Sequence, residues 1–188
     1  YSCLTHKEFN PDIPLGLIAD SRTVEYFSYW NITNLYDEIV TDIFDDYPRE
    51  RVSPKFWASP KLWAMSKLST PFVIFDTDIV LQKPLADYAD CDVMYLHREF
   101  SAQYPNIFDV TGPSGFVWGE EITKSFLNTQ PMNCAVVGMF NETFKSDYVR
   151  AYFDFVLNST GELQFANENS HLMYAPESAQ ILMEQWFL

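Results

Sequence analysis

Two rhythms of apolar and polar positions run along this chain. Between Ser21 and Tyr36, apolar side chains recur at Val24, Phe27, Tyr29, Trp30, Ile32 and Leu35, the spacing of one helix face. Ser59-Pro60 opens a second helical stretch, a capping residue followed by a proline suited to a first turn. Leu62, Trp63, Met65 and Leu68 carry that helix to a stop at Thr70-Pro71. The continuous apolar run Phe72-Val73-Ile74-Phe75 then predicts a central parallel strand. Tyr1–His6, Asp37–Asp42, Asp92–Leu96 and Ala135–Phe140 read as further strands. Ser146–Asn158 reads as an aromatic-rich helix capped by Ser146, and Pro176–Leu188 as a last helix. Strands alternating with helices predict an α/β layered sheet. No repeat, low-complexity tract or linker divides the chain, which we read as one domain. It begins at Tyr1 without Met and stops inside a helical pattern, so we expect a domain trimmed at one or both ends.

Composition narrows the partners. Of 188 residues, 47% are hydrophobic and 20% charged, which describes a folded chain rather than a disordered one. Lys and Arg number 12 against 26 Asp and Glu, a net charge of −14. Nothing in that balance neutralises a row of phosphates, so nucleic acid and anionic membrane surfaces are poor partners. A compact anion could still bind if a divalent cation supplied the missing positive charge. No apolar run approaches the ~20 residues of a membrane span. Cys3, Cys91 and Cys134 are odd in number and form no CxxC, so we expect buried small hydrophobes in a reducing compartment. The 16 Phe, 11 Tyr and 5 Trp are expected mostly in the core.

The most informative stretch is Phe72-Val73-Ile74-Phe75-Asp76-Thr77-Asp78. A lone Asp-x-Asp means little, and Asp90-Cys91-Asp92 is a second copy. Position separates the two. Asp90 and Asp92 precede their strand, whereas Asp76 and Asp78 follow theirs, at the carboxyl end where ligand crevices of open α/β sheets lie. Two carboxylates one residue apart can reach one ion where the chain bends past a strand. Both are hard donors suited to Mg²⁺ or Mn²⁺, and too few to enclose it without substrate phosphate and water.

In series, the helix Ser59–Leu68, the apolar strand and Asp76-Thr77-Asp78-Ile79-Val80-Leu81 resemble the core of metal-dependent glycosyltransferases of the GT-A fold. Met132-Asn133-Cys134-Ala135-Val136-Val137-Gly138 is similar to that family's Asn-small-Gly-hydrophobic stretch, with Ala135 where many members carry glycine. Tyr36–Asp42 resembles its second strand, so the likeness covers about residues 35 to 140. It implies a Rossmann-like nucleotide-diphospho-sugar transferase fold, a mixed and mostly parallel sheet flanked by helices. It further implies a nucleotide-sugar donor, a carbohydrate or other hydroxyl acceptor, and Mn²⁺ or Mg²⁺. On this resemblance Asp78 is the direct metal ligand, and Asp76 shares metal and ribose contacts with Thr77 on the nucleotide side. Lys61 matches a basic position near the nucleotide; a solvated helix lysine is the plain alternative. Asn133 would bond a sugar hydroxyl or else simply cap its loop. Glu184 resembles a late acidic position suited to the catalytic base, and is otherwise a helix-surface glutamate. His171 is a candidate additional ligand. Gly112–Gly115 and Trp118 would form a loop and stacking platform, or a simple turn.

Two rival readings stand beside this one. A phosphatase of the haloacid dehalogenase type also begins with an apolar strand ending in Asp-x-Asp, but expects glycine where Ile79 stands and places the motif on its first strand. A GT-A-like fold that binds without catalysis is the other. Asn-x-Ser/Thr sites at Asn31, Asn141 and Asn158 suit a secretory enzyme, yet two fall in or at predicted helices, so a cytoplasmic protein is expected.

Overall fold

The strand before Asp76 does form, but its setting differs from a central parallel strand. The structure is a computed structural model and describes residues 1–52, 56–88, 90–98 and 132–158. In chain order its elements are α1 (Ser2–Phe9), β1 (Gly16–Ile18), α2 (Ser21–Tyr29), β2 (Glu38–Val40), α3 (Ser59–Lys67), β3 (Phe72–Phe75), β4 (Val93–Tyr95), β5 (Val136–Met139) and α4 (Glu142–Asn158), with short 3₁₀ turns between some of them. This is a mixed α/β arrangement. The described strands form a parallel pair, β1–β2, and a three-stranded antiparallel sheet in the order β3-β5-β4. The sheet expected to be mostly parallel is thus represented by two small sheets of opposite kind.

β5 takes the central place expected of β3. All four residues of β5 are buried, whereas every residue of β3 is half-buried. β3 and β4 pair antiparallel with β5 on either side, and so run parallel to one another. β5 can lie between two strands partly because position 138 is glycine. A Cβ there would sit 2.8 Å from the Phe140 ring and 3.2 Å from Met94 Cβ. The core fills the space between this sheet and helices α3 and α4, with Leu62, Met65, Val137, Met139, Tyr152 and Val156 fully enclosed. Burial of side chains of this size drives the packing, at about 1.5–3 kcal/mol each.

Several sequence expectations are corrected. Tyr1–His6 is not a strand; Ser2–His6 lies in α1, whose buried residues are Ser2, Cys3 and His6, with Asn10 buried just past its end. Polar side chains among them hid it from a search for apolar periodicity. The expected helix Ser21–Tyr36 ends at Tyr29, because Asn31 turns left-handed (φ 56°) before a separate 3₁₀ turn, Ile32–Leu35. Ser59 does not cap α3. Its hydroxyl turns into the core and hydrogen-bonds the Tyr152 hydroxyl at 2.8 Å. Helix α4 starts at Glu142 rather than Ser146, with Asn141 Oδ1 accepting the Thr143 and Phe144 N–H groups (2.9 and 3.1 Å). Cys3 and Cys134 are buried as expected, but Cys91 is exposed. Tyr148, Tyr152, Phe153 and Phe56 are core aromatics, whereas Tyr26, Tyr29, Trp30 and Trp57 are exposed. Pro176–Leu188, Glu184, His171, Trp118 and Gly112–Gly115 lie outside the described residues. No helix among the described residues is long and apolar enough to cross a membrane.

Candidate functional site

Antiparallel pairing dictates which ends of the strands meet. Phe75, the last residue of β3, pairs with Val136, the first of β5, and Tyr95 near the end of β4 pairs with Val137. The turn after β3 and the turn before β5 therefore share one edge of the sheet. The Asp76 N–H extends the ladder by donating to the Ala135 carbonyl at 2.8 Å, and the Ile79 N–H closes a tight turn onto the Asp76 carbonyl at 3.1 Å. That turn brings Asp76, Thr77 and Asp78 just past the strand end. Asp92 lies at the opposite edge, where its side chain accepts a hydrogen bond from Asn141 Nδ2 at 2.9 Å. Its backbone carbonyl also takes the Phe140 and Asn141 N–H groups. The two Asp-x-Asp copies are thus separated by the whole length of β5, and Asp92 has a structural task of its own.

Lys61 reaches the same edge from α3. Its ammonium pairs with Asp76 Oδ1 at 3.2 Å and donates to the Cys134 carbonyl. The lysine side chain is 17% exposed and the aspartate 46%, so the pair sits at the rim of the fold, where its net contribution is small. This is not the solvated helix lysine of the plain alternative. One cation joins the end of β3 to the turn entering β5. Asn133 Oδ1 caps that turn by accepting the Ala135 N–H at 3.0 Å, and the Asn133 N–H donates to the His97 carbonyl at 2.8 Å. Loop capping therefore occupies the amide oxygen. Asp78 and Thr77 are exposed; the Thr77 carbonyl accepts the Ser2 hydroxyl at 2.9 Å. The structure brings together Lys61, Asp76, Thr77, Asp78 and Asn133.

A cavity of about 820 Å³ opens beside them, between the β1–β2 pair and β3. Helix α1 bounds it with Ser2, Cys3 and His6, and α3 with Lys61 and Ala64. The His6 ring stacks on Phe75 (centroids 5.8 Å apart, 25° between planes) while its Nε2 meets the Ile13 carbonyl at 2.9 Å. Asp37 fixes the entrance to the parallel pair, accepting the Leu15 N–H at 2.8 Å and the Lys7 ammonium at 2.9 Å. The bond from Leu15, then that from Lys7, hold the Asp37 carboxyl below the usual carboxylate range. Burial, reinforced by a hydrogen bond with Cys3, holds the Tyr36 phenol on the cavity wall well above its ordinary value, so it stays a neutral donor.

The residues fit a divalent cation only in part. Among the described residues no group of three or more His, Cys, Asp and Glu could hold a metal. Asp78 offers an exposed carboxylate, while one Asp76 oxygen carries Lys61. That donor set suits a hard cation that arrives with phosphate and water. Of the wall, Tyr36, Glu38 and Val40 belong to the stretch likened to the family's second strand, whereas Trp57, Phe44 and His6 were not found from sequence, since they come from three separated segments.

Residues 1–188 match DUF6734, a family of unknown function, and the chain belongs to that family. No curated protein and no solved structure matches it.

Proposed function

We propose that this member of DUF6734 is a metal-dependent glycosyltransferase with a GT-A-like, Rossmann-like fold, moving a sugar from a nucleotide-diphosphate donor to an acceptor hydroxyl. One observation carries the reading: Asp76-Thr77-Asp78, Lys61 and the Asn133–Ala135 turn share one strand-end edge beside a cavity of about 820 Å³. The other Asp-x-Asp copy is at the far edge, where Asp92 is engaged by Asn141. Two strands, β1 and β2, precede the motif, which argues against a phosphatase whose Asp-x-Asp follows its first strand.

In this reading Asp78 would hold Mn²⁺ or Mg²⁺, and Asp76 would share in holding it or contact the ribose. A bound divalent ion would neutralise the diphosphate as it leaves. Lys61 fixes the Asp76 carboxylate and places a positive charge where a diphosphate would lie. Asn133, its oxygen accepting the Ala135 N–H, lies at the edge where the donor sugar would sit. The acceptor would be held with its hydroxyl near the anomeric carbon, and in an inverting transfer the resemblance assigns Glu184 as the base that takes its proton.

The test is thermal stability in a panel of Mn²⁺ or Mg²⁺ with nucleoside diphosphates and nucleotide sugars. Metal-dependent stabilisation by UDP or GDP supports transfer. Stabilisation by a phosphate mimic with Mg²⁺ and no nucleotide points to a phosphatase. No response to any ligand overturns both.

A further inference from the structure

Trp57 is 61% exposed on the cavity wall. The other described Tyr and Phe rings on that wall, Tyr36, Phe44, Phe75 and Phe140, are half-buried. Its neighbours explain why it projects. Phe56 and Ala58 are 3% and 2% exposed, and the Ser59 N–H donates to the Phe56 carbonyl at 3.0 Å in the turn that begins α3. Core packing therefore holds the backbone on both sides of Trp57, and the indole is the group directed outward. Lys61, four residues on and inside α3, lines the same cavity and meets Asp76. A ligand lying along this wall would meet a broad flat face and a cation beside the strand-end carboxylates.

A nucleoside diphosphate has that order of chemistry, a planar heterocycle at one end and an anion at the other. We propose that Trp57 is the stacking platform for the base of the donor nucleotide. This rests on the nucleotide-sugar reading and adds a binding residue to it. Stacking is indifferent to the identity of the base, so Trp57 would supply affinity for UDP and GDP alike, leaving discrimination to the wall residues. Base–aromatic stacking lost on truncation to alanine weakens binding roughly five- to 150-fold.

Calorimetric titration of UDP with Mn²⁺ into the wild-type chain, Trp57→Ala and Trp57→Phe tests this. The expected result is a Kd weakened about tenfold or more in W57A and largely rescued in W57F, with both variants folded by far-UV circular dichroism. Quenching of tryptophan fluorescence on UDP binding should also vanish in W57F while binding persists. W57A binding UDP as tightly as wild type overturns the stacking role alone. A folded W57F as weak as W57A overturns it too, since a platform needs only a ring. Failure of the wild-type chain to bind UDP with Mn²⁺ overturns this inference together with the reading beneath it.

Discussion

Replacing Lys145 by methionine should cost this fold about 2 kcal/mol, although the residue is not part of the candidate site. The Lys145 side chain is 5% exposed. Its ammonium pairs with Glu142 at 2.6 Å and donates to the Leu68 carbonyl at 2.5 Å. Glu142 in turn accepts from the Thr70 hydroxyl and N–H (3.1 and 3.3 Å). The first turn of α4 thereby grips the chain between α3 and β3, immediately ahead of the strand that ends in Asp76. Methionine keeps the aliphatic stem and removes only the charge. The Glu142 end of the pair is in water and contributes little by itself. The larger loss is the charged hydrogen bond to Leu68, about 1.5–3 kcal/mol. For a chain of this size, 2 kcal/mol corresponds to a fall of about 4–8 °C in Tm. Urea unfolding at pH 7 measures it directly. Acid offers a second check. The bond from Lys145, then those from Thr70, lower the Glu142 pKa, so its stabilisation is full above its ordinary value of 4.5 and fades as pH falls through the lowered one. The gap between wild type and K145M should therefore narrow at pH 3 without closing, because the bond to Leu68 survives. A K145M chain as stable as wild type at pH 7 would refute the grip.

Three further outcomes follow from the same geometry. Gly138→Ala should destabilise by about 1–3 kcal/mol in urea unfolding, since the new methyl meets the Phe140 ring at 2.8 Å and Met94 Cβ at 3.2 Å. Asn141→Ala should cost about 1 kcal/mol by removing the cap of α4, and far-UV circular dichroism should show its first turn frayed. The whole chain should lose stability on acidification below about pH 4. Asp20, Asp37, Asp46 and Glu142 all have lowered pKa values and bind fewer protons folded than unfolded, so a chain equally stable at pH 3 and pH 7 would contradict their hydrogen bonds.

What could be read in advance depended on whether burial was written in apolar residues. Phe72–Phe75 and Ala135–Phe140 announced themselves as strands, and the positional contrast between Asp76–Asp78 and Asp90–Asp92 is reproduced at opposite ends of β5. Which strand would be central was not legible. β3 and β5 are both apolar runs, and only the pairing of β5 with two neighbours distinguishes them. Helix α1 was missed because its buried residues are Ser2, Cys3 and His6. Ser59 misled in the opposite way, a residue typical of caps whose hydroxyl serves a buried bond to Tyr152. The family resemblance put Lys61 near the nucleotide, but its pairing with Asp76 was not expected, since a pair on separate elements leaves no mark in local pattern. The cavity left none either, being assembled from α1, the parallel pair, α3 and β3.

The central claim is that the acids at the end of β3, and not their near-copy before β4, bind a metal together with a nucleotide. Calorimetric titration of UDP and GDP, with and without Mn²⁺, into wild type, Asp78→Asn and Asp90→Asn tests it most directly. The account predicts binding that requires Mn²⁺, weakens at least about tenfold in D78N and is unchanged in D90N. Binding that ignores the metal, or that survives in D78N while failing in D90N, would contradict it.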